Sequence, residues 1–368
     1  MAADLLEATR VLDLSQYLPG PSATQMLADM GADVIKVEPL QGDPLLAMNP
    51  LTGGPDGEPF YEAVNAGKSV LRLDLKTEQG RSGFETLISR ADVMLESYRP
   101  GVMDRLGFGP AVLKDLNPKL IHCALSGYGQ QGPKSGEGGH DINYIALSGG
   151  LSVSGSSETP VAGWPPAADY TGALNAVNAI LAALIRCYRT GQGAYLDIAM
   201  ADTFMAWQPW GLTGQVQGAR MTRQGNLLNG GAACYRVYAV AGGDFVTLGA
   251  LEDKFWINFC DAVARPDWIA RHKEALPQKD LIGEVEALFA SDNLEHWEQA
   301  LAGVDCCYQA VLDYDQAAAH PQVKVRKLVH QYADHSQILW PAHVDGGALA
   351  KRLPVKRIDL NQCIKKWQ

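Results

Sequence analysis

Along the first 200 residues the spacing of apolar positions changes period repeatedly. Residues 10–14 (RVLDL) form a short apolar run. Residues 21–30 (PSATQMLADM) carry helical spacing, with Pro21 in the first turn and Gly31 as a stop, and residues 33–38 (DVIKVE) alternate and are β-branched. Strand, helix and strand in that order make a βαβ unit, which implies parallel pairing. The same alternation predicts strands at 69–75, 92–96, 120–125 and 194–200, a helix at 78–90, and a nearly all-round apolar helix at 173–186. The expected fold is therefore α/β: a doubly wound, Rossmann-like parallel sheet with helices on both faces.

The texture changes near Gly225. Residues 235–240 and 245–248 flank Ala241-Gly242-Gly243-Asp244, a hairpin signal, and helical stretches follow at 254–264, 279–290 and 294–301. This predicts a large domain of residues 1–200 and 330–368 and a smaller α+β domain of residues 225–329. A Trp-rich connecting segment, 201–224, is expected to run as a helix over 203–215. The chain is basic and irregular from His320 onward, and residues 330–368 should pack back onto the first domain.

Composition narrows the function. Hydrophobic residues are 47% and charged residues 20%, which suits a globular protein. No window reaches 18 uninterrupted apolar residues; the best, 173–185, is broken by Asn175 and Asn178, so no membrane span is expected. The N-terminus, MAADLLEATR, lacks the basic start of a signal peptide. Seven cysteines without a C-x-x-C pair argue for free thiols, no zinc site and a cytoplasmic location. A net charge of −10 makes nucleic acid an unsuitable partner. It leaves room for a phosphorylated ligand, since a few local cations and helix N-termini can hold one pyrophosphate.

Four stretches carry candidate chemistry. Gly127-Tyr128-Gly129-Gln130-Gln131-Gly132 matches G-x-G-x-x-G, but Pro133, Ser135, Gly136, Gly138 and Gly139 follow where a dinucleotide site needs a helix. In Gly139-His140-Asp141-Ile142-Asn143-Tyr144, Asp141 suits an N-cap and His140 stands just before a helix; a capping histidine is the plainer reading. Asp169 precedes the apolar helix, where free N–H groups could keep a carboxylate ionised, or where it is a simple cap. Glu252 ends the hairpin and begins a helix, again with capping as the plain explanation. Periodicity alone does not join these residues into one site.

A resemblance does. Val11-Leu12-Asp13-Leu14, Gly20-Pro21 and the run from Leu27 to Glu38 resemble the opening of family III CoA-transferases of the CaiB/BaiF type and their α-methylacyl-CoA racemase relatives. The likeness continues through Asn65-Ala66-Gly67-Lys68, Leu73-Asp74-Leu75-Lys76, Arg99-Pro100-Gly101-Val102, Arg105-Leu106-Gly107 and Ser126-Gly127-Tyr128-Gly129-Gln130. It is strong over about the first 200 residues, and Gly249-Ala250-Leu251-Glu252 extends it.

What this resemblance implies is specific. The transferases place a catalytic carboxylate at the position of Asp169; the racemases keep it, add a histidine matching His140, and carry a glutamate matching Glu252 that orients that histidine. Racemising a 2-methylacyl thioester needs one base and one conjugate acid flanking Cα, and the enolate oxygen needs donors such as the free N–H groups after His140. Lys36, Lys68, Lys76, Arg99 and Arg105 are the cations expected at the CoA phosphates. No cofactor beyond the CoA of the substrate is implied, and an interlocked homodimer is. The chain departs from the racemase pattern at Asn229, Ala233 and Asp253, and Glu38 is followed by Pro39-Leu40 rather than a basic residue. The rival readings are a CoA-transferase with Asp169 as nucleophile and a catalytically silent acyl-CoA binder.

Overall fold

The structure, a computed structural model, describes residues 4–332 and 335–368. Its main sheet has seven strands, β1 (Arg10–Leu14), β2 (Asp33–Glu38), β3 (Ser69–Arg72), β4 (Val93–Glu96), β5 (Ile121–Ser126), β6 (Ala194–Ala199) and β12 (Lys356–Arg357). Their order is β12-β3-β2-β1-β4-β5-β6, and every pairing is parallel. Apart from β12, this is the 3-2-1-4-5-6 order of a doubly wound nucleotide-binding sheet.

The pattern of side chains follows from helices on both faces. Leu12, Leu14, Ile35, Val37 and Met94 point into a core with Phe84, Leu87, Phe108, Leu113 and Trp367. The opposite side chains of the same strands meet the helix Pro19–Asp29, while the long helix Ala167–Thr190 packs on β5, β6 and Pro19–Asp29. That long helix is apolar and long enough to cross a bilayer by composition. In this fold it is a core helix, and its first turn carries a carboxylate, Asp169.

Three expectations need correction. The segment 203–215 is two helices, Met200–Met205 and Pro209–Val216, because Pro209 can start a helix but not sit inside one. The C-terminal residues are not irregular: β12 lies beside β3, with Lys356 opposite Ser69, and Asp359 caps a last helix, Leu360–Lys366. Lys366 and the Trp367 indole N–H then reach the Asp33 carboxylate at the start of β2. Contacts also divide the chain differently. One compact unit comprises residues 1–148, 165–207 and 320–368; the other takes 149–164 and 208–319.

The second unit, considered by itself, contains an antiparallel sheet of β7 (Tyr235–Ala239), β8 (Phe245–Gly249) and β9 (Tyr308–Ala310). It packs on an aromatic core in which Phe259 lies 5.6–6.4 Å from the rings of Trp256, Phe289 and Trp268. The buried indoles are satisfied: Trp256 donates to the Trp268 carbonyl at 3.0 Å, and Trp297 to the Phe289 carbonyl at 2.9 Å. Elsewhere in the chain, β10 (Val329–Gln331) and β11 (Ser336–Ile338) form a separate two-stranded ribbon.

Candidate active site

In a sheet of this order ligands bind outside the carboxyl ends of the strands, near the point where the order reverses, here between β1 and β4. The loops leaving β4 and β5 carry most of the candidate chemistry. After β5 the chain runs through Gly127 to Gly139 without a helix, then enters the short helix Asp141–Leu147. The glycines serve the tyrosines. A Cβ on Gly127 would lie 2.5 Å from the Tyr144 hydroxyl, and one on Gly139 would lie 2.7 Å from the Tyr128 hydroxyl. These two rings meet edge to face at 5.1 Å, and Tyr144 donates to the Gly139 carbonyl at 2.5 Å. The Gln130 N–H donates to the Asp197 carboxylate at 3.1 Å. This is a loop folded on its own aromatic side chains, not a pyrophosphate cradle opening a helix.

His140 is the N-cap residue of that helix, with its backbone N–H held by the Asn143 side-chain oxygen at 3.0 Å and its side chain exposed. Asp141, expected as the cap, is instead the first helical residue. Its carboxylate does not bond its own helix. It accepts from the backbone N–H groups of Ala168 at 2.6 Å and Asp169 at 3.2 Å, the start of the long helix. That helix begins at Ala167, six residues before its apolar run, with Asp169 in its first turn and Asp141 supplying the acceptor that its N-cap, Pro166, lacks. The starts of two helices are therefore tied together, with His140 on one and Asp169 on the other.

The electrostatics follow from this placement. Burial, and then the neighbouring Asp141 carboxylate, push the Asp169 carboxyl up to about 7. Tyr144 is pushed up to about 12 by burial and by Asp169, Tyr128 and Asp141, with Arg99 opposing. Arg99, on the loop after β4, also lies against this glycine loop: a Cβ on Gly138 would meet its guanidinium at 2.9 Å. A carboxyl held near neutrality can take or give a proton at physiological pH.

The other candidate residues are distributed unevenly. Glu252 is exposed in the second unit, where it is the N-cap residue of the helix Asp253–Ala262. Lys76 is exposed after β3 and Arg105 is exposed in the helix Val102–Leu106. No contact among the described residues brings Lys76 or Arg105 to His140 or Asp169.

The expectation that Lys36 and Lys68 meet CoA phosphates does not hold. Both side chains have no exposed surface. Lys68 donates to Asp13 Oδ2 at 3.0 Å, to the Pro21 carbonyl and Thr24 Oγ1 at 2.8 Å, and to Asn65 Oδ1 at 2.9 Å. Lys36 donates to the Ser15 carbonyl at 2.6 Å and pairs with Asp43 at 3.1 Å. Their charges are neutralised inside the protein. Sequence reasoning missed this network, and it missed Asp141 as the tie between helices. It also missed a buried Glu96 with His122 Nε2 3.9 Å away. Among the described residues no group of three or more histidine, cysteine or acidic side chains is placed to hold a metal.

Comparisons with known proteins converge on one family. The profile of CoA-transferase family III matches residues 6–354. The alpha-methylacyl-CoA racemase of Mus musculus is 35% identical over 335 residues, 88% of this chain and 81% of that protein. The succinyl-CoA:mesaconate CoA-transferase of Haloarcula hispanica is 36% identical over 280 residues, 73% of this chain and 70% of its own length. Among solved structures, a CaiB/BaiF family protein from Brucella suis superposes with a TM-score of 0.83 at 25% identity, covering 97% of both chains.

Proposed function

The chain belongs to CoA-transferase family III, and from that premise we propose that it racemises 2-methylacyl-CoA thioesters by moving a proton at Cα. His140 and Asp169 are the two acid/base groups in this reading. One removes the α-proton to leave an enolate, and the other returns a proton to the opposite face. The thioester already lowers the acidity barrier, so the reaction calls for no cofactor beyond the CoA carried by the substrate. The N–H groups of Asp141 and Ile142, which open the helix after His140 and have no intrahelical acceptor, are the donors assigned to the enolate oxygen. Arg99 meets the CoA moiety.

The observation that carries the reading is the tie through Asp141, which draws the helix starts of His140 and Asp169 together beside a carboxyl near neutrality. Support also comes from His140 itself, a group that transfer through an aspartyl-CoA thioester on Asp169 would not require. Free thiols at all seven cysteines suit a cytoplasmic enzyme. Large apolar side chains left exposed at Tyr188 and Trp207, and separately at Trp210 and Val216, suit a homodimer.

Succinyl-CoA:mesaconate CoA-transferase is as similar as the racemase, so transfer through Asp169 is the second reading. One experiment separates them. The protein is incubated in deuterium oxide with one enantiomer of a 2-methylacyl-CoA and no free carboxylic acid. Racemisation predicts deuterium at Cα and scrambling of the centre. Turnover that appears only after a second carboxylic acid is added would replace racemisation by transfer.

A further inference from the structure

We infer that Asp141 is a positioning residue: its carboxylate pins the first turn of the Asp169 helix to the first turn of the His140 helix and so sets the geometry between the two acid/base groups. The inference rests on the assignment of Asp169 and His140 made above, but not on which of the two reactions Asp169 serves.

The geometry is unusual for an acid at a helix start. An Asp in the first helical turn ordinarily serves the N–H groups of its own helix. Here Oδ1 bonds Ala168 at 2.6 Å and Asp169 at 3.2 Å, 27 and 28 residues further along. The long helix needs that acceptor, because its own N-cap is Pro166, which has no side chain able to accept from these N–H groups. His140 is the residue immediately before Asp141, and its N–H is fixed in turn by Asn143. A single carboxylate therefore couples both half-sites, and neither can shift without breaking a bond to a charged acceptor.

The same carboxylate brings a second negative charge close to Asp169. Burial is the larger cause of the raised Asp169 pKa and Asp141 is the next. The other titratable groups facing Asp169 are Tyr144 and Tyr170, both raised by burial first, with Asp169 contributing to each. Arg99 acts on Tyr144 in the opposite sense. Asp141 thus has two separable effects, an acceptor that holds a helix and a charge that keeps its neighbour protonated for longer as pH rises. Asparagine keeps the first and removes the second; alanine removes both.

The test reads Asp169 directly. Carboxyl ¹³C signals of aspartate-labelled protein are followed from pH 4 to 9 in the wild type, Asp141→Asn and Asp141→Ala, with Asp169→Asn identifying the signal. Circular dichroism of each variant confirms that it is folded. The wild-type midpoint is expected near 7, and Asp141→Asn should move it to lower pH. Asp141→Ala should in addition cut turnover by roughly 10²-fold, the scale of a misplaced catalytic group, whereas Asp141→Asn should lose less. Asp141→Ala turnover equal to that of Asp141→Asn overturns the inference; if Asp141→Ala fails to fold, Asp141→Ser, whose shorter side chain cannot reach the Ala168 and Asp169 N–H groups, is read in its place. If Asp141→Ala loses turnover as expected but the wild type exchanges no α-hydrogen and turns over only with a second carboxylic acid, the racemase reading fails while Asp141 keeps its role.

Discussion

Replacing Lys68 by methionine separates a structural cation from a CoA contact. Methionine matches the length of the lysine stem but removes every donor from Nζ. That leaves the Asp13 carboxylate, the Pro21 carbonyl, Thr24 and Asn65 facing an apolar sulfur. Burial alone would raise the Asp13 carboxyl. Lys68 and Lys36, with the hydroxyls of Ser15 and Thr24, outweigh it and hold the group well below the usual carboxylate range. Removing one partner of a buried ion pair strands the other, at a cost of about 3–5 kcal/mol. That is a large share of the 5–15 kcal/mol by which an ordinary domain is stable. In urea unfolding the Lys68→Met transition should therefore shift well below that of the wild type. The double variant Asp13→Asn, Lys68→Met should recover part of the loss, because the stranded charge is gone. The contribution of Asp13 is complete above its unfolded pKa of 3.8 and is lost as pH falls below that value, and burial lowers Lys68 to about 8, so the deficit should be constant from pH 5 to 7. The folded fraction of the variant should bind acyl-CoA with wild-type affinity. A Lys68→Met protein of unchanged stability that binds acyl-CoA poorly would refute this account and return Lys68 to the phosphates.

Two further outcomes are expected. Glu96 is buried and its carboxyl is pushed up to about 7 by burial, partly offset by the Tyr98 N–H, with Asp197 raising it further. The native state therefore loses stability as pH rises from 4.5 through 7, and Glu96→Gln should be more stable than the wild type at pH 8, by up to about 3 kcal/mol, and equal to it near pH 4. If Glu96→Gln is instead less stable at pH 8 by urea unfolding, Glu96 and His122 form a charged pair. Light scattering of the native protein should give twice the chain mass of 39.7 kDa, and a monomer at micromolar concentration would remove the dimer from the proposal.

Much of the parallel sheet was legible because its strands are short, apolar and separated by helices of a different period. β1 and β2 fall where alternation placed them, and β5 and β6 within one residue. β12 was not legible, since two residues of a basic tail carry no period and pair with β3 only through tertiary contact. The start of the long helix was set six residues late for a related reason. Its first turn, Ala167-Ala168-Asp169-Tyr170-Thr171-Gly172, lacks the apolar spacing of the rest and is completed by an acceptor from another element. His140 and Asp169 were each visible as helix-start residues. Their association was not, because it runs through the side chain of Asp141 and not through any spacing in the chain.

The cations show where the reading of single residues went astray and what would have corrected it. Lys36 lies in the middle of β2, which has β1 on one side and β3 on the other, in a sheet with helices on both faces. No side chain at such a position can reach solvent, so a charge there must be matched within the protein. Its ion-pair partner is Asp43, at 3.1 Å, on the loop after β2, and a second carboxylate lies nearby. Asp13 stands at the equivalent place in β1, and the parallel register sets Asp13 directly beside Lys36, with Val11 beside Val34 two residues earlier. Lys68, one residue before β3, is the cation that reaches the Asp13 carboxylate. Facing positions of adjacent central strands thus place Lys36 and Asp13 in one buried charge network, in which Lys36 pairs with Asp43 and Asp13 with Lys68. By the same rule only cations outside the strands remain free for a ligand. Of those proposed here, Arg99 is the one that contacts place against the His140 loop.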